Sequence, residues 1–233
     1  MEAAGSLRGQ RGGDNGRRVN QVPRAVGAVS QRMRSAPGVR SVALAGSRRA
    51  GDPTPLSDWD FEVAVDDHVV LDALADELAD LPTLGVFWDP LSTRATLIVL
   101  LEDAIKIDLI VSGKGNPHPM PRWEVRRESL PRIEVHFWDW ILWIGSKQLR
   151  GDRDLVRQEL DKMRQALLRP IGVARPVNGL AEAVGAYIAA RNRQEHQFGV
   201  RLDRRCLEHQ VIAALTQACV VGAGDTHGDG ADG

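Results

Sequence analysis

Cysteine is nearly absent from this chain of 233 residues: Cys206 and Cys219 are the only two, and they form no CxxC pair. No disulfide framework is available, and a reducing cytoplasm is the expected compartment. Long hydrophobic runs are missing too. The longest, Ala95 to Leu101, is strand-sized, far short of the roughly 20 residues that span a bilayer, so no membrane partner is expected. The first twenty residues hold five Gly and four Arg and lack the apolar segment of a secretory signal. Charge of one sign is not in excess either. Thirty Lys and Arg face 31 Asp and Glu, a formal charge of -1, which argues against nucleic acid as a dedicated partner. Between the two Gly-rich ends there is no GxGxxG, HExxH or GxSxG, and Gly113-Lys114 lacks the rest of a P-loop. Dinucleotide, zincin and serine-hydrolase chemistry therefore have no anchor.

What is present is an ordinary globular composition, 43% hydrophobic and 26% charged, with length enough to bury a core. Residues 1–20 and 222–233 are Gly-rich with little to bury and are expected to be disordered tails. Between them the pattern changes once. Val22 to Ser35 reads as a helix through Val26, Val29 and Met33, with Pro23 in its first turn. Val39–Ala45 and Ser57–Val65 read as strands, Val69–Leu81 as a helix and Gly85–Trp88 as a strand. Ala95–Leu101 and Ala104–Val111 read as a hairpin turned at Glu102-Asp103. Ser112–Pro121, with three Pro and two Gly, reads as a linker. Beyond it come helices over Ile133–Leu149 and Asp152–Leu168, a third capped by Asn178, and one or two more up to Val221. The expected class is α+β: a mixed β-sheet flanked by helices over 21–118, then a helical domain over 119–221.

The chemistry concentrates in Ser41 to Val65. A strand ends at Gly46-Ser47, a polar loop follows, and Ser57-Asp58-Trp59-Asp60 opens the next strand. Side chains alternate faces along a strand. Trp59, Phe61, Val63 and Val65 therefore share a core face, while Asp58, Asp60 and Glu62 share the open one. Asp58 and Asp60 lie about 7 Å apart at their Cα atoms. Two ionised carboxylates at that spacing repel unless a cation sits between them, and a hard divalent ion such as Mg²⁺ takes oxygen ligands and phosphates together. An isolated DxD more often just solvates a strand start. Here Gly46 and Ser47 lie upstream with Arg48 and Arg49, and Gly, exposed amides and a hydroxyl suit a phosphate. Asp108 adds a third carboxylate. It sits mid-strand in Ile105–Val111, opposite an apolar face, with Lys106 beside it. An Asp108–Lys106 ion pair and a metal ligand are equal readings of that strand alone. The Asp58/Asp60 strand in the same small sheet favours the metal.

Gly46-Ser47, a gap of about ten residues, Asp58-x-Asp60 and the later strand Asp108 together resemble the DNA polymerase β-type nucleotidyltransferase superfamily over about Val22 to Val111. The resemblance implies two Mg²⁺ ions on Asp58, Asp60 and Asp108. It implies a nucleoside triphosphate, ATP for an adenylyltransferase, held at Gly46, Ser47, Arg48 and Ser57, and a nucleotidyl group moved to a hydroxyl. The Pro53-Thr54-Pro55 insert departs from the family's loop. In the helical half, His136-Phe137-Trp138 running into Lys147-x-x-Arg150-Gly151-Asp152 is similar to bacterial aminoglycoside-type adenylyltransferases, implying a small polar acceptor bound there and a part in antibiotic resistance.

Other residues carry weaker signals. Trp138, Trp140 and Trp143 suit a stacking surface, but their helical spacing favours core or a seam. His196 and His209 each follow a Glu without a zinc-ligand pattern. Glu128 and Glu134 are candidates for the general base, with solvated surface the heavier reading. The expected partners are a nucleoside triphosphate and a small-molecule acceptor, and a homodimer stays open. The alternative is a regulatory, antitoxin-like protein of the same fold that binds or modifies another protein.

Overall fold

The computed structural model describes residues 22–67, 71–78, 80–117, 123–202 and 207–224. The expected N-terminal tail, Cys206 and the end of the chain beyond 224 lie outside them. The architecture is α+β: a five-stranded mixed sheet with helices, followed by a helical region. In chain order the elements are α1 (Arg24–Ser35), β1 (Val39–Leu44), α2 (Gly46–Ala50), β2 (Trp59–Val65), α3 (Leu71–Asp76), β3 (Gly85–Trp88), β4 (Arg94–Leu101) and β5 (Ile105–Gly115). Helices α4 (Leu130–Leu149), α5 (Arg153–Met163), α6 (Leu180–Phe198) and α7 (Leu207–Gly224) follow. A π-helical turn, Arg164–Leu168, extends α5.

The sheet runs β1-β2-β5-β4-β3. Strand β2 pairs parallel with β5, and the other pairs are antiparallel. Strand β4 is apolar along nearly its whole length because both its faces are covered, the pattern of a strand buried on two sides. Its residues divide strictly by parity. Leu97, Val99 and Leu101 join Val26, Met33, Phe61, Leu74 and Leu109 in a core under α1 and α3. Ile98 and Leu100 face the other way, into the core built by α4 to α7. The face under α4 is also the face that carries Asp60 and Asp108, since their neighbours Trp59, Phe61, Ile107 and Leu109 all belong to the opposite core. Helix α4 lies close on this face at β3. A Cβ on Gly85 would stand 2.8 Å from Val135 Cγ1, so no larger residue fits there without a shift.

Several boundaries differ from the sequence reading for local reasons. Pro23 occupies the N-cap of α1 and not its first turn. The β4–β5 hairpin turns through Glu102–Ala104 with Asp103 and Ala104 at φ 60° and 54°. Strand β5 runs on to Gly115, taking up the first four residues of the expected linker, because Arg94 pairs with Gly115 across the ladder; residues 118–121 of that linker lie outside the described set. Helix α3 ends at Asp76, although Leu78 is still fully buried. Gly179 and not Asn178 is the N-cap of α6; Asn178 instead bonds back from its amide N–H and Nδ2 to Glu182 Oε2. Helix α7 continues to Gly224, into the stretch expected as tail.

Trp138 and Trp140 are core residues, whereas Trp143 is half-buried with Lys147 Nζ 4.8 Å over its ring. Glu134 is the main correction. It is 6% exposed and not a surface residue. It accepts from Trp138 Nε1 at 2.8 Å, Tyr187 OH at 2.6 Å and Arg191 Nη1 at 2.7 Å. Arg191 also reaches Glu208 on α7 at 2.5 Å. This network ties α4, α6 and α7 together inside an apolar core. Removing one partner leaves a buried charge uncompensated, which typically costs about 3–5 kcal/mol. Arg191→Met is therefore expected to lower the urea unfolding free energy by about that much. A loss below about 1 kcal/mol would mean the network is solvated and weak.

Candidate active site

Register alone brings the carboxylates together. Asp60 on β2 pairs directly with Asp108 on β5, and Asp58 precedes β2 on the same side. One oxygen from each of Asp58, Asp60 and Asp108 lies within 4.8 Å of the others. Among the described residues no other group of three His, Cys, Asp or Glu side chains has this arrangement. Asp58 Oδ1 and Asp108 Oδ1 are buried and receive no hydrogen bond. Carboxylate oxygens withdrawn from water without a donor are costly, and an all-oxygen set fits a hard divalent cation. The residues present therefore fit the metal that the resemblance implies.

Gly46 shapes the neighbouring wall. It sits at φ 60°, and a Cβ there would lie 1.8 Å from Asp60 Oδ2. Glycine is required twice over, for the left-handed backbone and for the approach of the Asp60 carboxylate. Gly46 and Ser47 open α2, a helix of only five residues, where a strand end and a polar loop are expected. The guanidinium of Arg48 lies 4.1 Å over the Trp59 ring and donates to the carbonyls of Ser57 at 2.6 Å and Asp58 at 3.0 Å. It thus fixes the entry into β2 beside the carboxylates. Ser57 is buried, its hydroxyl accepting from Thr54 N at 2.8 Å and bonding Thr54 Oγ1 at 3.0 Å. That hydroxyl holds the loop together and does not open toward a phosphate. Thr54 Oγ1 in turn meets Ser146 Oγ of α4 at 3.3 Å, and Arg150 donates to the Asp52 carbonyl at 2.7 Å. The Pro53-Thr54-Pro55 insert is thus a strap from the sheet to α4.

Asp108 takes part in two arrangements, an ion pair with Lys106 and the group of three carboxylates. Lys106 Nζ lies 2.9 Å from Asp108 Oδ2, and also 3.2 Å from Asp58 Oδ2 and 3.4 Å from Asp139 Oδ1. Lys106 is 6% exposed. Burial works against its charge, but Asp108, Asp139 and Asp58 outweigh that and hold it protonated, well above the usual lysine range. One lysine does not balance the carboxylates around it. Asp108 is accordingly pushed well up, by burial first and then by Asp58 and Asp139, against the pull of Lys106. Asp60 is raised by burial and by Asp58. The centre is short of positive charge.

Asp139, on α4, is the residue that sequence reasoning missed. It is 5% exposed and raised to about 7, chiefly by burial, with Lys106 opposing. Its signal was present in principle, since an Asp amid Phe137, Trp138 and Trp140 must have a buried partner. Its neighbour His136 is buried among Phe87, Trp123 and Trp140, ring centroids 6.1, 5.8 and 5.6 Å away. Burial, and then Lys106, lower His136 to about 4, so it is neutral near pH 7. Glu128 is exposed, and Glu134 is committed to the helical core.

Two outcomes follow. Gly46→Ala should displace the Asp60 carboxylate and weaken Mg²⁺ binding at least tenfold, about 1.4 kcal/mol or more, as read by calorimetric titration; unchanged affinity would separate Gly46 from the centre. Asp139 concerns pH. Its folded value lies above its unfolded one, so its contribution to stability is full below about pH 4 and is lost as pH rises toward 7. His136, lowered to about 4, works oppositely over much of the same window in both proteins. In chelator, Asp139→Asn should therefore gain stability relative to wild type between about pH 4 and 7, on the order of a few kcal/mol. Parallel stability–pH profiles would show that Asp139 does not titrate there.

No protein-family model matches the chain, and none of the curated proteins does. Among solved structures, the chain is similar to an aminoglycoside 6-adenyltransferase from Bacillus subtilis, at 11% identity over 88% of this chain and 98% of that one, with a TM-score of 0.30. The three carboxylates that the resemblance to polymerase β-type nucleotidyltransferases singles out, Asp58, Asp60 and Asp108, are the three that the fold gathers.

Proposed function

We propose that the protein is a Mg²⁺-dependent nucleotidyltransferase that moves AMP from ATP to a hydroxyl of a small polar acceptor. The observation that carries this is the carboxylate centre: one oxygen each from three aspartates within 4.8 Å of one another, with Asp58 Oδ1 and Asp108 Oδ1 buried without donors. Divalent ions held by Asp58, Asp60 and Asp108, two in this reading, would supply the positive charge that stabilises a transferring phosphate.

The protein's own groups divide the remaining work. The exposed backbone at Gly46 and the hydroxyl of Ser47 receive the leaving phosphates on the β1 side of the carboxylates. Arg48 keeps Asp58 in place through the Asp58 carbonyl. The acceptor oxygen attacks the α-phosphorus, the bond from that phosphorus to the pyrophosphate oxygen breaks, and pyrophosphate leaves. The acceptor's proton passes to Asp139, a carboxylate whose proton affinity, at about 7, suits a base near neutral pH. Asp139 takes the role that the sequence offered to Glu128 and Glu134.

Purified protein is incubated with each nucleoside triphosphate, Mg²⁺ and a panel of hydroxyl acceptors, aminoglycosides included, and pyrophosphate release is followed. Release should require ATP, acceptor and Mg²⁺ together. Asp58→Asn, Asp60→Asn and Asp108→Asn should each lower it by at least ~1000-fold, about 4 kcal/mol, with melting curves near wild type. A variant retaining near wild-type turnover would remove its carboxylate from the mechanism.

A further inference from the structure

A cavity of about 700 Å³ opens between β3 and the start of α4. Phe87, Trp88, Trp123 and His136 contribute to its walls, and Arg132 stands at its rim, exposed. The volume suits a small organic ligand. The Nε1 of Trp123 and both ring nitrogens of His136 are buried and lack a hydrogen-bond partner among the described residues. His136 as a whole is only 2% exposed. Unsatisfied buried polar atoms of this kind call for an explanation. A ligand that stacks on the aromatic rings and bonds these nitrogens supplies one.

The sheet register and one helix face both lead from this cavity to the carboxylates. Phe87 pairs with Ile98, Ile98 with Asp108, and Asp108 with Asp60, a single row across β3, β4, β5 and β2. All four project toward α4, and strands lie about 4.8 Å apart, so Phe87 is about 10 Å from Asp108. Along α4, Arg132, Val135, His136 and Asp139 follow at three- and four-residue spacing and share one face. His136 Nδ1 lies 3.9 Å from Asp139 Oδ2, and Asp139 reaches Lys106 beside Asp108. The attacking and leaving oxygens of a phosphoryl transfer lie roughly in line. With the leaving phosphates on the β1 side, the attacking hydroxyl belongs on the β4–β3 side, where the cavity is.

We infer that this cavity seats the acceptor and that the acceptor is an uncharged, ring-bearing hydroxyl compound of the glycoside kind, not a polyamine. This deepens the nucleotidyl-transfer reading and rests on it. Aromatic walls bind the faces of sugar or aryl rings, and indole N–H and imidazole nitrogens bond hydroxyl and ring oxygens. A polycation needs free carboxylates, and none lines the cavity. Asp139 is engaged with Lys106, and Asp89, whose Oδ1 accepts from the Leu91 amide at 2.8 Å, does not line the cavity. Arg132 at the rim repels a cation as well.

Calorimetric titration of the full chain tests this without turnover. The uncharged probe is phenyl β-glucoside and the charged one a triamino sugar, each added with and without ATP and Mg²⁺. The glucoside is expected to bind at least tenfold more tightly than the triamino sugar and to bind alongside ATP. Trp123→Leu should weaken it about tenfold, the scale of one aromatic contact. Arg132→Glu, an exposed change that spares the core, should narrow the preference severalfold by admitting the triamino sugar. Equal or tighter binding of the triamino sugar would overturn the inference. So would glucoside affinity indifferent to Trp123, or competition between glucoside and ATP, which would make the cavity the nucleotide's own. Failure of the parent reading shows separately, as absence of pyrophosphate release with every acceptor.

Discussion

Lys106 sits at 2.9, 3.2 and 3.4 Å from oxygens of Asp108, Asp58 and Asp139, and this one buried cation is outnumbered. With Asp60 paired across the ladder to Asp108, four carboxylates share a centre in which a single lysine is fully enclosed. Desolvation makes each of those charges expensive. Asp60, Asp108 and Asp139 respond by holding protons more tightly, and the lysine by keeping its own. Arg48 and Lys147 add positive charge near Asp60, and a divalent cation at the three carboxylates would add the rest. The demand for a ligand is therefore built into the resting fold.

That centre depends on how the sheet is covered. Strand β4 is apolar on both faces, and its two sets of residues feed two separate cores. One core, beneath α1 and α3, holds β2 and β5 rigid from behind. The other is formed by α4 to α7 and closes over the carboxylate face. Asp139 crosses from α4 to Lys106, while the Thr54–Ser146 and Arg150–Asp52 contacts strap the β2 entry loop to the same helix. The helical region thus contributes a carboxylate to the centre as well as a roof above it.

Much of this was legible in the sequence. Alternation along Ser57–Val65 placed Asp58 and Asp60 opposite Trp59 and Phe61, and the lone polar pair in Ile105–Val111 marked Asp108 and Lys106. What alternation does not carry is partnership across the sheet and between its layers. Lys106 read as one member of a local pair, whereas it serves carboxylates 48 and 33 residues away in sequence, at Asp58 and Asp139. Asp139 was hidden by its aromatic neighbours, whose helical spacing announced core. Glu134 read as surface because a lone carboxylate early in a helix usually is; its partners Tyr187 and Arg191 lie more than fifty residues downstream. The resemblance offers Ser57 to a phosphate, whereas its hydroxyl is bonded to Thr54. Gly46 was marked for backbone approach, but the group that approaches is Asp60 itself.

The central claim is that the excess of buried carboxylate charge is satisfied by a divalent cation at Asp58, Asp60 and Asp108. Titration with Mn²⁺, followed by the loss of the free ion's electron paramagnetic resonance signal, tests it without nucleotide or acceptor. Saturable binding by the wild-type protein, abolished in Asp108→Asn and displaced by excess Mg²⁺, is the result the account predicts. Binding by Asp108→Asn equal to wild type, or no saturable binding by wild type at all, would contradict it.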